Sequence, residues 1–417
     1  MRGKNWSVPN LMRLSPVVVV LILFVVSPAA AQDPVTSPAD HVHEAAHSAP
    51  AESAAWSWSP DANVFVGYNY QQREFRDQSA WESQNWFMLH GERALGRGAL
   101  RLETMISLEP FTMRGIGSPQ LFQTGESWQM GPLIDRQHPH DLVMELGATY
   151  RLRASRTTII MSADLVGPAA LGPTPFMHRE SARNNPQAPL SHHQLDSTHI
   201  SPGVLTGGIE AGSLTLLGSW FRGQEPDEYR LDIARPWLDS WSVQGKWQRG
   251  PWMAQVSGGI LHEPEWFEPY DIPRITASIE FNGTVRSHPV AATIAWGENR
   301  EIHGPLDGYL FEWDTPAATR GHFYGRVEAS AKDLLDLGFP DPPGFVSFHR
   351  ISHVAAATVG YLHDAVSKPW GLLGIGGDVT FYHVPDNMID YYGTSPHSFH
   401  VFVRYRPQPR DSMAHHH

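Results

Sequence analysis

From "NVFVGYNY" (63–70) onward, apolar and polar residues alternate with a period of two in one segment after another. In "SWSVQGKWQ", Trp241, Val243, Gly245 and Trp247 are apolar or small, while Ser242, Gln244, Lys246 and Gln248 are polar. "WMAQVSGGI" puts Trp252, Ala254, Val256, Gly258 and Ile260 on one face, and "RITASIEFN" sets Ile275, Ala277, Ile279 and Phe281 against Arg274, Thr276, Ser278, Glu280 and Asn282. "GLLGIGGDVTFY" and "FHVFVRYR" continue the pattern with Leu373, Ile375, Val379 and Phe381, then Phe399, Val401, Val403 and Tyr405. Successive side chains of an extended strand point to opposite faces, so this recurrence predicts an all-β chain.

The connections add a second regularity. Short gaps fall at 96–98, 153–156, 210–213, 248–251, 282–287, 314–319 and 364–369. Longer ones fall between them, at about 71–83, 109–140, 166–200, 223–238, 262–271, 298–305, 332–347 and 383–395. Strict alternation of short and long connections predicts an up-and-down antiparallel transmembrane β-barrel, with short periplasmic turns and long outer loops. The segments count to about sixteen strands, with fourteen as the competing number.

A soluble sandwich would also alternate, but its outward face would be polar. Here Trp, Phe, Leu and Val fill one face, while Arg101, Glu103, Glu145, Arg151, Lys246, Arg274, Glu280, Arg326, Glu328, Asp378 and Arg404 share the other. Unpaired charges cannot line a dry core, so that face is expected to look into a wet lumen. Its mixed signs predict weak ion selectivity.

The ends and the composition fit export. Arg2, Lys4 and Arg13 precede the apolar run Val17–Val26, and small residues up to Ala31 follow, so residues 1–31 read as a signal peptide. The run is too short to span a bilayer as a helix. Residues 32–60, rich in Ala, Pro, Ser and His, read as a disordered periplasmic linker, 61–406 as the barrel and 407–417 as a C-terminal tail. The chain has no cysteine, which removes disulfides, thiolate metal sites and cysteine nucleophiles. A formal charge of −12 argues against nucleic acid as a partner.

Candidate chemistry concentrates in the second and third long gaps. "RQHPHD" supplies His138, His140 and Asp141, "FMHRES" supplies His178, and "LSHHQLDSTHIS" supplies His192, His193, Asp196 and His199. The two gaps flank one periplasmic hairpin, so their bases are neighbours in space. These eight residues are the candidate metal set, for a divalent ion such as zinc or copper, although no HExxH, cysteine pair or EF-hand run is present. The competing reading is a latch that pins one outer loop, stiffened by Pro168, Pro173 and Pro175, against the other at the barrel mouth. Ser197 or Ser201 beside His199, and "HSFH" (397–400), contain the residue types of a hydrolase, but no GxSxG surrounds them. No catalytic or cofactor-binding residue is assigned, and an enzyme is not expected.

The strings "QHPHDLVMELGATY", "GPAALGPTPFMHRESA", "APLSHHQLDSTHISPGVLTGG", "DGYLFEW" and "YYGTSPHSFHVFVRYRP" together resemble a family of uncharacterised, porin-like outer-membrane β-barrel proteins of Gram-negative bacteria. The resemblance implies that fold and location, and carries no activity. The expectation is therefore a channel for small polar solutes or ions, narrowed by a His-rich loop constriction. The alternatives are an outer-face metal-binding barrel serving metal uptake or resistance, and an outer-membrane hydrolase. Expected partners are outer-membrane lipid, small solutes or metal ions, the barrel-insertion machinery and, as a homotrimer, further copies of the chain.

Overall fold

The computed structural model of the chain describes residues 55–113, 116–129, 131–318, 320–340 and 350–407. The expected signal peptide, most of the linker and all but the first residue of the tail lie outside the described residues. Sixteen antiparallel strands close into one barrel: β1 (Ser57–Gln71), β2 (Gln78–Glu82 and Asn85–Leu95), β3 (Gly98–Ile106), β4 (Val143–Ala154), β5 (Thr157–Gly167), β6 (Ser201–Ala211), β7 (Leu214–Phe221), β8 (Ser240–Arg249), β9 (Trp252–Leu261), β10 (Ile272–Val285), β11 (His288–Glu301), β12 (Gly304–Ala318), β13 (Gly321–Asp333), β14 (Ile351–Lys368), β15 (Gly371–His383) and β16 (His397–Arg406). Each pairs with its chain neighbour, and β1 closes the circle on β16 with Val64 opposite Tyr405 and Gln71 opposite Ser398. Both parts of β2 pair with β1, so the break at Ser83 and Gln84 is an irregularity within one strand. The first strand begins at Ser57, slightly ahead of the boundary expected at residue 61.

All seven short connections lie at one end, where Gly212 and Gly250 take positive φ (61° and 57°) in tight hairpin turns. Two expected gaps are shorter: the one at 71–83 holds the first part of β2, Gln78–Glu82, and the one at 298–305 nearly vanishes. β11 and β12 run on until only Ile302 and His303 separate them, because the pairing continues to Glu301–Gly304.

The outward positions are apolar and exposed, with Trp220, Trp241, Val256, Ile294, Phe311, Val359 and Val403 among them. No described helix is long and apolar enough to cross a membrane. A closed barrel pairs every backbone group internally and presents this apolar girdle to lipid, which is an outer-membrane architecture. Val256, 65% exposed in the middle of β9, gives a direct test. Val256→Arg should cost about 2–4 kcal/mol in urea unfolding from lipid vesicles, as midplane arginine does on a lipid-facing strand. A cost below about 1 kcal/mol would remove this face from the lipid.

The expectation of a wet lumen needs correction. The connection between β5 and β6 folds inward and hydrogen-bonds to the wall from strand to strand. Ala170 N–H donates to Ser219 on β7, Gly172 receives from Gln244 on β8 and donates to Ser257 on β9, and Thr174 N–H donates to Glu280 on β10. Further along, Ser181 meets Thr293 on β11, Arg179 donates to Glu312 on β12, Arg326 on β13 donates to Gln187 O, and Lys332 donates to Leu190 O. Asn184 then meets Arg404 on β16, and Asn63 on β1 donates to Arg183 O. Many lumen charges are thus satisfied by loop backbone and by ion pairs.

Apolar packing fixes this plug. Phe176, Met177, Ala188 and Ile200 pack on Trp86, Met105, Met144 and Val166. Leu121 and Phe122 of the β3–β4 connection pack with Leu190 and with Leu334, Phe339, Met388 and Tyr392 of the outer loops. The two inward loops also bond to each other, Gln120 donating to Ala188 O at 2.7 Å.

Candidate functional site

The two loops bring five of the six candidate histidines together. The ring centroids of His138 and His140 lie 5.9 Å apart, those of His140 and His199 5.6 Å, of His199 and His192 5.2 Å, and of His192 and His193 5.3 Å. All five rings are buried. Phe176 packs against His140, His192 and His199, with centroids 5.4–6.3 Å away. Glu126 completes a circuit, because its carboxylate contacts His138 Nε2 and also lies within 4.8 Å of the donor atoms of His193 and Glu225.

Local structure explains the arrangement. His138 and His140, either side of Pro139, bring their rings together, while a four-residue helical turn, His192–Leu195, puts His192 against Asp196. Gly172 supports that turn from below with φ +97, and a Cβ there would meet Leu195 O at 2.1 Å. No other residue fits that approach without backbone movement.

Four imidazoles are oriented through Nδ1. His138 Nδ1 donates to Pro139 O (2.8 Å) and His199 Nδ1 to Asp196 O (2.7 Å). A carbonyl can only accept, so each Nδ1 carries the proton and each Nε2 presents a lone pair. His140 Nδ1 bonds to Glu109 Oε2 (2.8 Å) and His192 Nδ1 to Asp196 Oδ1 (2.7 Å). The Nε2 atoms of His140 and His199 are buried without a hydrogen-bond partner.

Electrostatics sort these groups. Burial, with Arg230 next, pushes His138 far below the ordinary imidazole value, and burial with His192 and His140 does the same to His199. For His140 burial is outweighed by the charge and hydrogen bond of Glu109, and the net shift is upward. Burial pushes Glu126 up to about 7 against the pull of Arg230. Asp196 stays well below the usual carboxylate range because Arg179 and His192 overcome its burial, and Glu225 does so through His193.

Two candidates stand outside the circuit. His178 packs against Trp86 with ring centroids 4.8 Å apart and planes tilted by 58°, and burial lowers it to about 4. Asp141 pairs with Arg230 at 3.3 Å, and burial raises it to about 6. Asp196 belongs to the site as an orienting group, held by Arg179 at 2.7 Å. The hydroxyls considered for a hydrolase are engaged elsewhere: Ser197 Oγ accepts from Arg274, Ser201 Oγ donates to Thr198 O, and Ser398 Oγ meets Tyr382, while His400 Nδ1 meets Asp378.

Residue spacing did not identify Glu109, Glu126, Glu225, Arg179 or Arg230. Glu225 and Arg230 come from the β7–β8 connection, which carries no histidine. Only the fold folds that loop over the other two.

No protein-family model matches the chain, and no curated protein does. Solved structures do. Salmonella typhi OmpF, in complex with daunomycin, aligns with a TM-score of 0.51 at 10% identity over 84% of this chain and 97% of that one. The outer-membrane channel DcaP of Acinetobacter baumannii aligns at 0.48 and 9% identity, covering 85% and 98%. An anion-selective porin from Comamonas acidovorans aligns at 0.47 and 11%, covering 84% and 100%. This chain has the porin-like barrel fold. At these identities the likeness is one of fold, and the site has to be read from its own residues.

Proposed function

We propose that this outer-membrane barrel is a narrowed conduit for small polar solutes or ions, and that the two inward loops with their histidine circuit form its constriction. The observation carrying this reading is the line of hydrogen bonds from residues 170–187 to consecutive strands β7–β13. A sixteen-stranded barrel without such a plug leaves an aqueous channel. Here the best-formed cavities beside the circuit have volumes of about 40 and 30 Å³, each room for about two or three waters. The first is lined by Asn85, Glu109, His138, His140 and Gln187, and the second by His193, Glu225 and further carboxylates. On this reading passage is limited to small ions and polar solutes smaller than a sugar. Liposome swelling with graded sugars tests this. Swelling in monosaccharide solutions at the rate of an open porin would defeat the reading, and exclusion of sugars with passage of small ions is the expected result.

A further inference from the structure

We propose that Glu126, His193 and Glu225 bind a divalent transition-metal ion of the zinc, nickel or copper class, and that the carboxylate-lined cavity next to them is its entrance. This goes beyond the conduit reading, which requires no bound ion.

The donor atoms of these three residues lie within 4.8 Å of one another, from three separate loops. Small side-chain shifts bring all three onto one ion with ligands at about 2.0–2.2 Å. One imidazole and two carboxylates, without thiolate, select a borderline ion over a soft one.

The neighbouring groups point the same way. The His138 Nδ1 proton goes to Pro139 O, so the Nε2 lone pair faces the Glu126 carboxylate. Two acceptors in contact need a proton or a cation between them. Buried Nε2 atoms of His140 and His199 also end without partners. A purely structural latch would leave such atoms at a cost of about 1–3 kcal/mol each. Imidazoles tied through one nitrogen to a carboxylate or carbonyl, with the other left free, are the arrangement metal sites use to orient their ligands.

The cavity that includes His193 and Glu225 is also lined by Glu265, Glu268, Glu301, Asp333 and Asp336, with Arg274 and Lys332 as its cations. Glu265 Oε1 is buried without a hydrogen-bond partner.

The test uses the full chain, folded in detergent micelles, stripped with chelator and titrated with Zn²⁺ by calorimetry. One ion per chain is expected at the site, alongside a weaker event from His415, His416 and His417 that site variants leave unchanged. His193→Ala and the size-conserving Glu225→Gln should each weaken the site by roughly ten-fold or more. His178→Ala should leave it intact. With Cu²⁺, the electron paramagnetic resonance spectrum should lose a nitrogen coupling in His193→Ala. The proposal fails if the parent binds nothing beyond the terminal histidines, or if both Glu225→Gln and His193→Ala bind as the parent does. Neither outcome bears on sugar exclusion, so the conduit reading stands or falls separately.

Discussion

Arg179→Leu is expected to destabilise the plug by roughly 3–5 kcal/mol, the cost of stranding buried charges by removing one partner. Arg179 is 1% exposed and donates to Glu312 (2.6 Å), to Asp196 (2.7 Å) and to Thr174 O (2.8 Å). Glu312 keeps Arg326 at 3.0 Å and Asp196 keeps His192, which puts the expected loss toward the lower end of that range. The strand ladder does not depend on this residue, so the barrel should persist while the loop comes away from β12. Trypsin should then cut at Arg183 in the variant and not in the parent. A variant whose loop stays uncut, with a urea midpoint like the parent's, would show that this ion-paired node does not hold the plug.

Much of the barrel was legible because a strand's periodicity is local. The seven short connections, the outer loops and the inward set around Arg274, Glu280, Arg326 and Arg404 follow from a period of two and from turn residues. The most misread connection, 298–305, contains Gly304 and Pro305, whose turn-like composition hides a pairing that continues to Glu301. The site was half legible. Spacing around Pro139 and along His192–Asp196 reports local geometry, and the adjacency of the two loops follows from strand order. The meeting of Glu126 with His193 and Glu225 depends on how three loops pack, and His178 was drawn to Trp86 by packing that no spacing records. The wet-lumen expectation failed for a related reason. A charged inward face says that charges need partners, and here a loop supplies many of them in place of water.

The second large effect is expected from the loop itself. Replacing residues 170–198 with a short Gly-Ser linker removes the hydrogen bonds to β7–β13 and leaves Glu280, Glu312, Arg326, Glu328 and Lys332 facing water. These charges can hydrate in an open lumen, so the barrel should still fold. Phe176, Met177 and Ala188 share an apolar cluster with Trp86 and Met144, and Leu190 packs with Leu121 and Phe122, so the β3–β4 loop should also loosen. Removing the plug should raise ion conductance on the order of ten-fold or more, toward that of an open sixteen-stranded barrel.

Single-channel recording in planar bilayers, parent against the 170–198 replacement, tests the plug most directly. The plug account predicts small steps for the parent and large, uniform steps for the replacement. Steps of open-porin size in the parent, unchanged when the loop is replaced, would contradict it.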